Sequence, residues 1–309
     1  MTVPAWNEVV AGIGYPDAEL IGQGMESVVV RLGDGLAGKV WTHRAAEELV
    51  PIQAFYAELA AQGLPFATPV MLEIRSRVGV AVSIEREISG TSVKTALRKG
   101  ELSIAAAQDA TVLVTDALRH TEAGPATRAL PVLDEAHALW ADQPSWGHAL
   151  AGLVERRARR FRDALLAAIP DLDRVVERIR RELAALTAAD GQIVHGDICP
   201  ENILVDDAGR PTALLDWGFL TAAGDHTFDA ATAAGFFDMY SPDAHVHDET
   251  LLERFEALGH ARERMLLYRA AYGIATANAY SADGQNGHFE WCVRNVEAFV
   301  RRDAPARPK

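Results

Sequence analysis

The chain has 309 residues, 49% hydrophobic and 24% charged, which describes a folded globular protein with room for one large domain or two modest ones. Thirty Lys+Arg against 43 Asp+Glu give a formal charge of −13, which argues against a broad nucleic-acid surface. Two cysteines, Cys199 and Cys292, do not make a disulfide scaffold. The opening residues are not a basic segment followed by an apolar one, and no apolar run is long enough to span a bilayer, so a cytoplasmic location away from membranes is expected.

In chain order, residues 18–41 read as short strands around turns, with the β-favouring Val28-Val29-Val30, a turn at Gly33-Asp34-Gly35, and a strand resuming at Leu36. Arg44 to Gln62 is helical in pattern, stopped by Gly63-Leu64-Pro65, with Pro51 able to open its second part. Val70–Glu73 and Val78–Glu85 are expected as two further strands turned by Arg75-Ser76-Arg77. Beyond Ser89-Gly90 the composition becomes helical, at about 102–118, 149–168 and 171–188, with Asp171 suited to an N-cap. One strand pair, Ile203–Val205 and Thr212–Leu215, interrupts the helices, which return from Phe228 to Phe299 before a tail expected to fray. The fold class is therefore α+β, a small sheet-plus-helix lobe (1–89) followed by a larger, mainly helical lobe (90–309), joined near Glu85–Gly90.

The stretch from His195 to Gly218, HGDICPENILVDDAGRPTALLDWG, concentrates groups suited to phosphoryl transfer. That reaction needs an aligned acceptor oxygen and positive charge over the transferred group. Asp197 can receive or orient a hydroxyl proton, and Asp216 with the amide oxygen of Asn202 can ligate a hard cation. Taken singly, each of these is as readily a cap, turn or structural residue; in this order and spacing they point to chemistry.

This stretch resembles the catalytic core of the aminoglycoside phosphotransferase and choline-kinase-like superfamily, relatives of the protein kinases. The resemblance implies a two-lobed kinase-like fold, ATP and Mg2+ between the lobes, and transfer to a small-molecule hydroxyl. It implies Asp197 as the catalytic acid–base group, Asn202 and Asp216 as metal ligands, and His195 and Asp229 as supports of the catalytic loop. Ile21–Val28 resembles a degenerate nucleotide loop, with Gly22, Gly24 and Ser27 near phosphate, and Lys39 resembles the phosphate-binding strand lysine. The acid that orients such a lysine would fall near Ile52, so Glu48 is the expected substitute, with Glu58 the alternative. Glu85 and Glu87 mark the hinge whose backbone would read adenine. Asp225 is a candidate for the acceptor side of the cleft.

Positions 222–260 hold eight acids against Arg254 alone. That cluster suits a cationic acceptor, best an aminoglycoside or other aminated sugar, with choline, another amino alcohol, homoserine or a metabolic sugar as alternatives. Phe236, Phe237, Tyr240, Trp291 and Phe299 could shape its pocket or pack a helical core. A catalytically silent nucleotide-binding module is the competing class, opposed by retention of Lys39, Asp197, Asn202 and Asp216. The oligomeric state is left open.

Overall fold

The computed structural model describes residues 5–24, 27–187 and 190–302. After helix α1 (Trp6–Gly12), five strands form one antiparallel sheet: β1 (Glu19–Gln23), β2 (Ser27–Gly33), β3 (Leu36–Trp41), β4 (Met71–Arg77) and β5 (Val80–Arg86), in the order β1-β2-β3-β5-β4. Its two faces are covered differently. Val30, Val40, Val80 and Val82 point to one side and bury Val9 and Val10 of α1. The other side takes helix α2 (Ala46–Ala60), whose Ile52, Phe55, Tyr56 and Leu59 join the main core. This alternation follows from the period of two along a strand.

Two local readings change. The β4–β5 turn is Val78-Gly79, both at positive φ (51° and 77°), and not Arg75-Ser76-Arg77, which continues β4. Two successive left-handed residues suit a tight hairpin, and a β-branched residue there gives no sequence signal. Helix α2 also runs through Pro51 without a break.

The second lobe begins with the short strand β6 (Thr91–Ser92) and helices α3 (Val93–Lys99) and α4 (Ile104–Ala117), capped by the hydroxyls of Ser92 and Ser103. A short turn of helix, α5 (Pro125–Arg128), precedes α6 (Trp146–Arg160), α7 (Arg162–Ala168) and α8 (Leu172–Ala184). The segment expected as one helix over 149–168 breaks at Phe161. Asp171 does occupy the N-cap position of α8, in a left-handed conformation, and its side chain makes no capping bond.

Strands β7 (Gln192–Val194) and β10 (Ala222–Gly224) pair with each other, and β8 (Ile203–Val205) pairs with β6 and with β9 (Pro211–Leu214). Helices α9 (Thr227–Phe236), α10 (Ala244–Ala257), α11 (Arg262–Thr276) and α12 (Gly287–Arg301) complete the core. Phe236, Phe237, Trp291 and Phe299 are buried in that core, which is the packing alternative for those aromatics. Among the described residues, no helix is long and apolar enough to cross a membrane.

Candidate active site

The β7–β8 loop carries His195 to Asn202, and the segment after β9 carries Asp216. The two are laced together by backbone: Leu215 N–H donates to the carbonyl of Asn202 at 2.9 Å. The His195 ring bridges them as well. Its Nδ1 accepts from the Asp197 N–H at 3.1 Å, which puts the ring proton on Nε2, 2.9 Å from the Leu215 carbonyl. Burial, only partly offset by the Leu215 carbonyl and Asp216, pushes the pKa of His195 down to about 4. The imidazole is thus a neutral brace, packed against Trp217 with ring centroids 4.4 Å apart.

Asp229, in the first turn of α9, accepts from the N–H groups of His195 and Gly196, each at 2.8 Å. Gly196 is required by conformation and by space: its φ is 82°, and an added Cβ would lie 2.7 Å from the Leu220 backbone. Thr221 was not legible as a site residue. Its buried hydroxyl donates to the His195 carbonyl and accepts from the Gly218 N–H, both at 2.9 Å, so it pins the Asp216-Trp217-Gly218 segment to the β7–β8 loop.

Asp197 and Asp216 both line a cleft of about 570 Å3, which Gly24, Ser27 and Lys39 line from the sheet side. Met25 and Glu26, inside the expected nucleotide loop, lie outside the described residues. Asn202 Nδ2 donates to the Asp197 carbonyl at 2.9 Å and lies 3.4 Å from Asp197 Oδ2, which turns the amide oxygen to the other side. Burial and then the nearby Asp216 and Glu201 push the Asp197 carboxyl up to about 7.

Other expected positions fall elsewhere. Glu48 is exposed, and its carboxylate accepts from the Ala45 N–H at 2.6 Å, closing the first turn of α2; the helix-start geometry takes it away from the role of Lys39 partner. Glu58 also serves another purpose. It accepts from the N–H groups of Gly124 (2.8 Å), Ala126 (2.9 Å) and Thr127 (3.2 Å), and from the Thr127 hydroxyl, tying α2 to α5. Burial opposes its charge, but these donors outweigh it and hold the carboxyl below its ordinary range. Glu58→Ala should lower stability by about 1–2 kcal/mol through loss of these bonds, read by urea unfolding. An unchanged midpoint would refute the tether.

Gly22 sits within β1 opposite Val29 and does not line the cleft. Glu85 is buried and accepts from the Ser83 hydroxyl at 2.8 Å, while Ser83 accepts from Trp41 Nε1 at 3.0 Å. On the sheet, Ser83 is the register partner of Lys39. Glu87 pairs with Arg31 at 2.8 Å, and its N–H donates to the Gly35 carbonyl. Neither glutamate side chain lines the cleft. Asp225 is 2% exposed and accepts from Tyr268 (2.8 Å), Arg264 (3.3 Å) and the Thr227 N–H (2.9 Å), a structural knot that removes it from the acceptor side.

Most of the acids of 222–260 are engaged by partners other than the cleft. Asp248 pairs with the buried Arg269, Glu249 and Glu256 with Arg262, and Asp238 with His247, and none of the eight acids lines the cleft. The far wall is formed instead by Asp134, Arg157, Arg160 and Phe161, and by Phe219, whose ring stacks on Tyr280 at 6.1 Å.

A sequence profile of the phosphotransferase enzyme family matches residues 17–268, the span holding both lobes' site residues. The chain belongs to that family. No curated protein sequence matches this phosphotransferase. Solved structures with the same fold include the gentamicin complex of APH(2")-IIa, at 14% identity, 97% coverage of each chain and a TM-score of 0.61. Another is aminoglycoside phosphotransferase APH(3'')-Id from Streptomyces rimosus, at 19% identity over 86% of this chain and 95% of that one, TM-score 0.56. The GDP complex of an aminoglycoside 2'-phosphotransferase-IIIa mutant aligns over 94% of this chain and 92% of that one, at 13% identity and a TM-score of 0.58. At these identities the likeness establishes the fold of this phosphotransferase, α+β and two-lobed like a protein kinase.

Proposed function

We propose that this protein transfers the terminal phosphoryl group of ATP to a hydroxyl of a small molecule, with Mg2+ as cofactor. Residues 1–89 would serve the nucleotide, and residues 90–309 catalysis and the acceptor. The observation that carries the reading is the convergence of Lys39, Asp197 and Asp216 on one cleft, with Asn202 hydrogen-bonded to Asp197.

Asp216 and the amide oxygen of Asn202 are the donors proposed for Mg2+. Among the described residues no cluster of three His, Cys, Asp or Glu could hold a metal. Two oxygen donors fit Mg2+, which usually takes one or two protein ligands and completes its octahedron with phosphate oxygens and water. When bound, the metal supplies charge neutralisation over the phosphates. Lys39 adds positive charge from the sheet side, and Gly24 leaves room for phosphate to approach the backbone. Asp197 holds the acceptor hydroxyl in line and takes its proton as the new O–P bond forms and the bond to the leaving ADP oxygen breaks.

ATP, in place of GTP, is the sequence-based choice, and fold relatives include both an ATP ternary complex and GDP complexes. Aminoglycosides belong in the acceptor panel because fold relatives are solved with gentamicin, kanamycin and streptomycin. The acidic stretch, none of whose acids lines the cleft, no longer argues for an amine-bearing acceptor. The test is Mg-ATP-driven transfer across aminoglycosides, amino sugars, neutral sugars and hydroxy acids, followed by product mass so that transfer is separated from hydrolysis. A singly phosphorylated acceptor is expected. Failure to bind Mg-ATP would sink the proposal.

A further inference from the structure

The cleft carries two arginines where a polycationic acceptor would want acids. Among the described residues its lining holds four cations, Lys39, Arg44, Arg157 and Arg160, and three carboxylates, Asp134, Asp197 and Asp216. Lys39 and Arg44 stand on the sheet side with the loop glycine and Ser27. Asp197 and Asp216 are committed to the reaction centre under the proposed function. What remains for the acceptor wall is two guanidinium groups and one carboxylate.

Those three groups form a built feature. Arg157, in the last turn of α6, is 2% exposed, and its Nε donates to the Ala275 carbonyl at 2.9 Å, which fixes the guanidinium in place. Arg160 lies one turn on and is half-exposed. The ring of Phe161, where α6 breaks, contacts both, at 4.8 Å from the Arg157 guanidinium carbon and 5.1 Å from that of Arg160. Asp134 lies across the fork, one oxygen on Arg157 and the other 2.7 Å from Arg160 Nη2.

Burial opposes the charge of Asp134, but the two arginines outweigh it and hold its carboxyl below the ordinary range. Its side chain remains 54% exposed, so it lies on the fork from the solvent side. The Asp134 loop is tethered next to the reaction centre, because Leu133 N–H donates to the Phe219 carbonyl at 2.8 Å, three residues beyond Asp216.

A half-exposed carboxylate resting on an aromatic-backed arginine pair, one member buried and the other half-exposed, is a demonstration in the molecule itself of what that pair accepts. Planar guanidinium forks match carboxylates bidentately, and the fork here has a net positive charge even with Asp134 in place. We infer that the acceptor is a hydroxy acid, its carboxylate docking on Arg157 and Arg160 in exchange for Asp134 while its hydroxyl faces Asp197. The inference rests on the phosphotransfer reading for the hydroxyl, and on the fork alone for the carboxylate.

The test separates the two. Protein saturated with Mg2+ and a non-hydrolysable ATP analogue is titrated with succinate by calorimetry, at ionic strength held constant with chloride. Saturable millimolar binding is expected. Arg160→Gln should weaken it at least tenfold, whereas Asp134→Asn, which frees the fork, should tighten it several-fold. Arg160 is chosen over the buried Arg157 so that the variant folds, and thermal melts of both variants confirm that it has.

The opposite signs are diagnostic, since residues serving only to staple α6 would leave succinate affinity unmoved in both. No saturable succinate binding overturns the inference. So does equal weakening by the two variants, or kanamycin binding that exceeds succinate binding and is lost in Asp134→Asn. Because the titration involves no turnover, absence of transfer to every acceptor would count against the phosphotransfer reading and leave the fork to be judged by the titration alone.

Discussion

Asp197→Asn should lower the turnover number of phosphoryl transfer by about 10^2–10^4 while leaving Mg-ATP binding within a few-fold of the parent. The substitution keeps the shape and the hydrogen bond that Asn202 makes to the Asp197 backbone carbonyl, and removes the group proposed to take the hydroxyl proton. The same change should stabilise the nucleotide-free protein at alkaline pH. Burial, with Asp216 and Glu201 nearby, lifts the Asp197 carboxyl to about 7, above its value in an unfolded chain. A carboxyl raised in this way binds its proton more tightly in the native state. Its stabilising contribution is therefore full below about pH 4 and is lost as pH rises through about 7. Asp229, also raised to about 7 by burial, acts in the same direction.

The parent melting temperature should accordingly fall from pH 5 to pH 8, and Asp197→Asn should flatten part of that fall. At roughly 1–2 °C per kcal/mol for a chain of this length, the difference is measurable by thermal melts. Transfer above one-tenth of the parent rate would remove Asp197 from the chemistry. A variant less stable than the parent at pH 8 would contradict the crowding of acids at the site.

The parts of the site that could be read in the sequence are those whose residues lie close together along the chain. His195, Asp197, Asn202 and Asp216 span one hairpin, so residue type and spacing alone put them near each other. Lys39 was readable from the family resemblance, because it sits in a strand-compatible run behind the expected nucleotide loop and ahead of the helix. Partners brought together by packing across the chain were not readable. Glu48 and Glu58 share a helix, and which one faces Lys39 depends on docking; one closes the helix start and the other ties down α5. The acids of 222–260 cluster in sequence and scatter in space: Asp229 of α9 holds the His195 loop, Asp248 and Glu249 of α10 meet Arg269 and Arg262, and Asp225 meets Arg264. The arginine fork draws on residues 23 positions apart, and the helix break at Phe161 that frames it follows no proline or glycine. Thr221 offers no composition signal at all, since its role depends on two backbone groups it meets only after folding.

Asp229→Asn should unsettle the β7–β8 loop from behind. Each Asp229 oxygen accepts a different backbone N–H, from His195 and from Gly196, and no side-chain donor is needed there. An amide offers one oxygen and one NH2, so one of the two buried N–H groups would face another donor. Leaving a buried donor unpaired costs about 1–3 kcal/mol, a loss that urea unfolding would register. The catalytic consequence follows from connectivity. The Asp197 N–H is held by the His195 ring, and the His195 carbonyl by Thr221, so a shift of His195 and Gly196 moves the Asp197 carboxylate and the segment after Asp216 together.

Misplacement on the scale of an ångström costs about 10^2 in rate, so a 10- to 100-fold fall in turnover number is expected, with Mg-ATP affinity little changed because Asp229 does not line the cleft. The split between turnover and nucleotide binding is what marks a positioning residue. A loss of stability with turnover intact would reduce Asp229 to a fold-stabilising acid, and a matching loss of nucleotide affinity would mean that the two lobes, beyond the loop alone, had shifted.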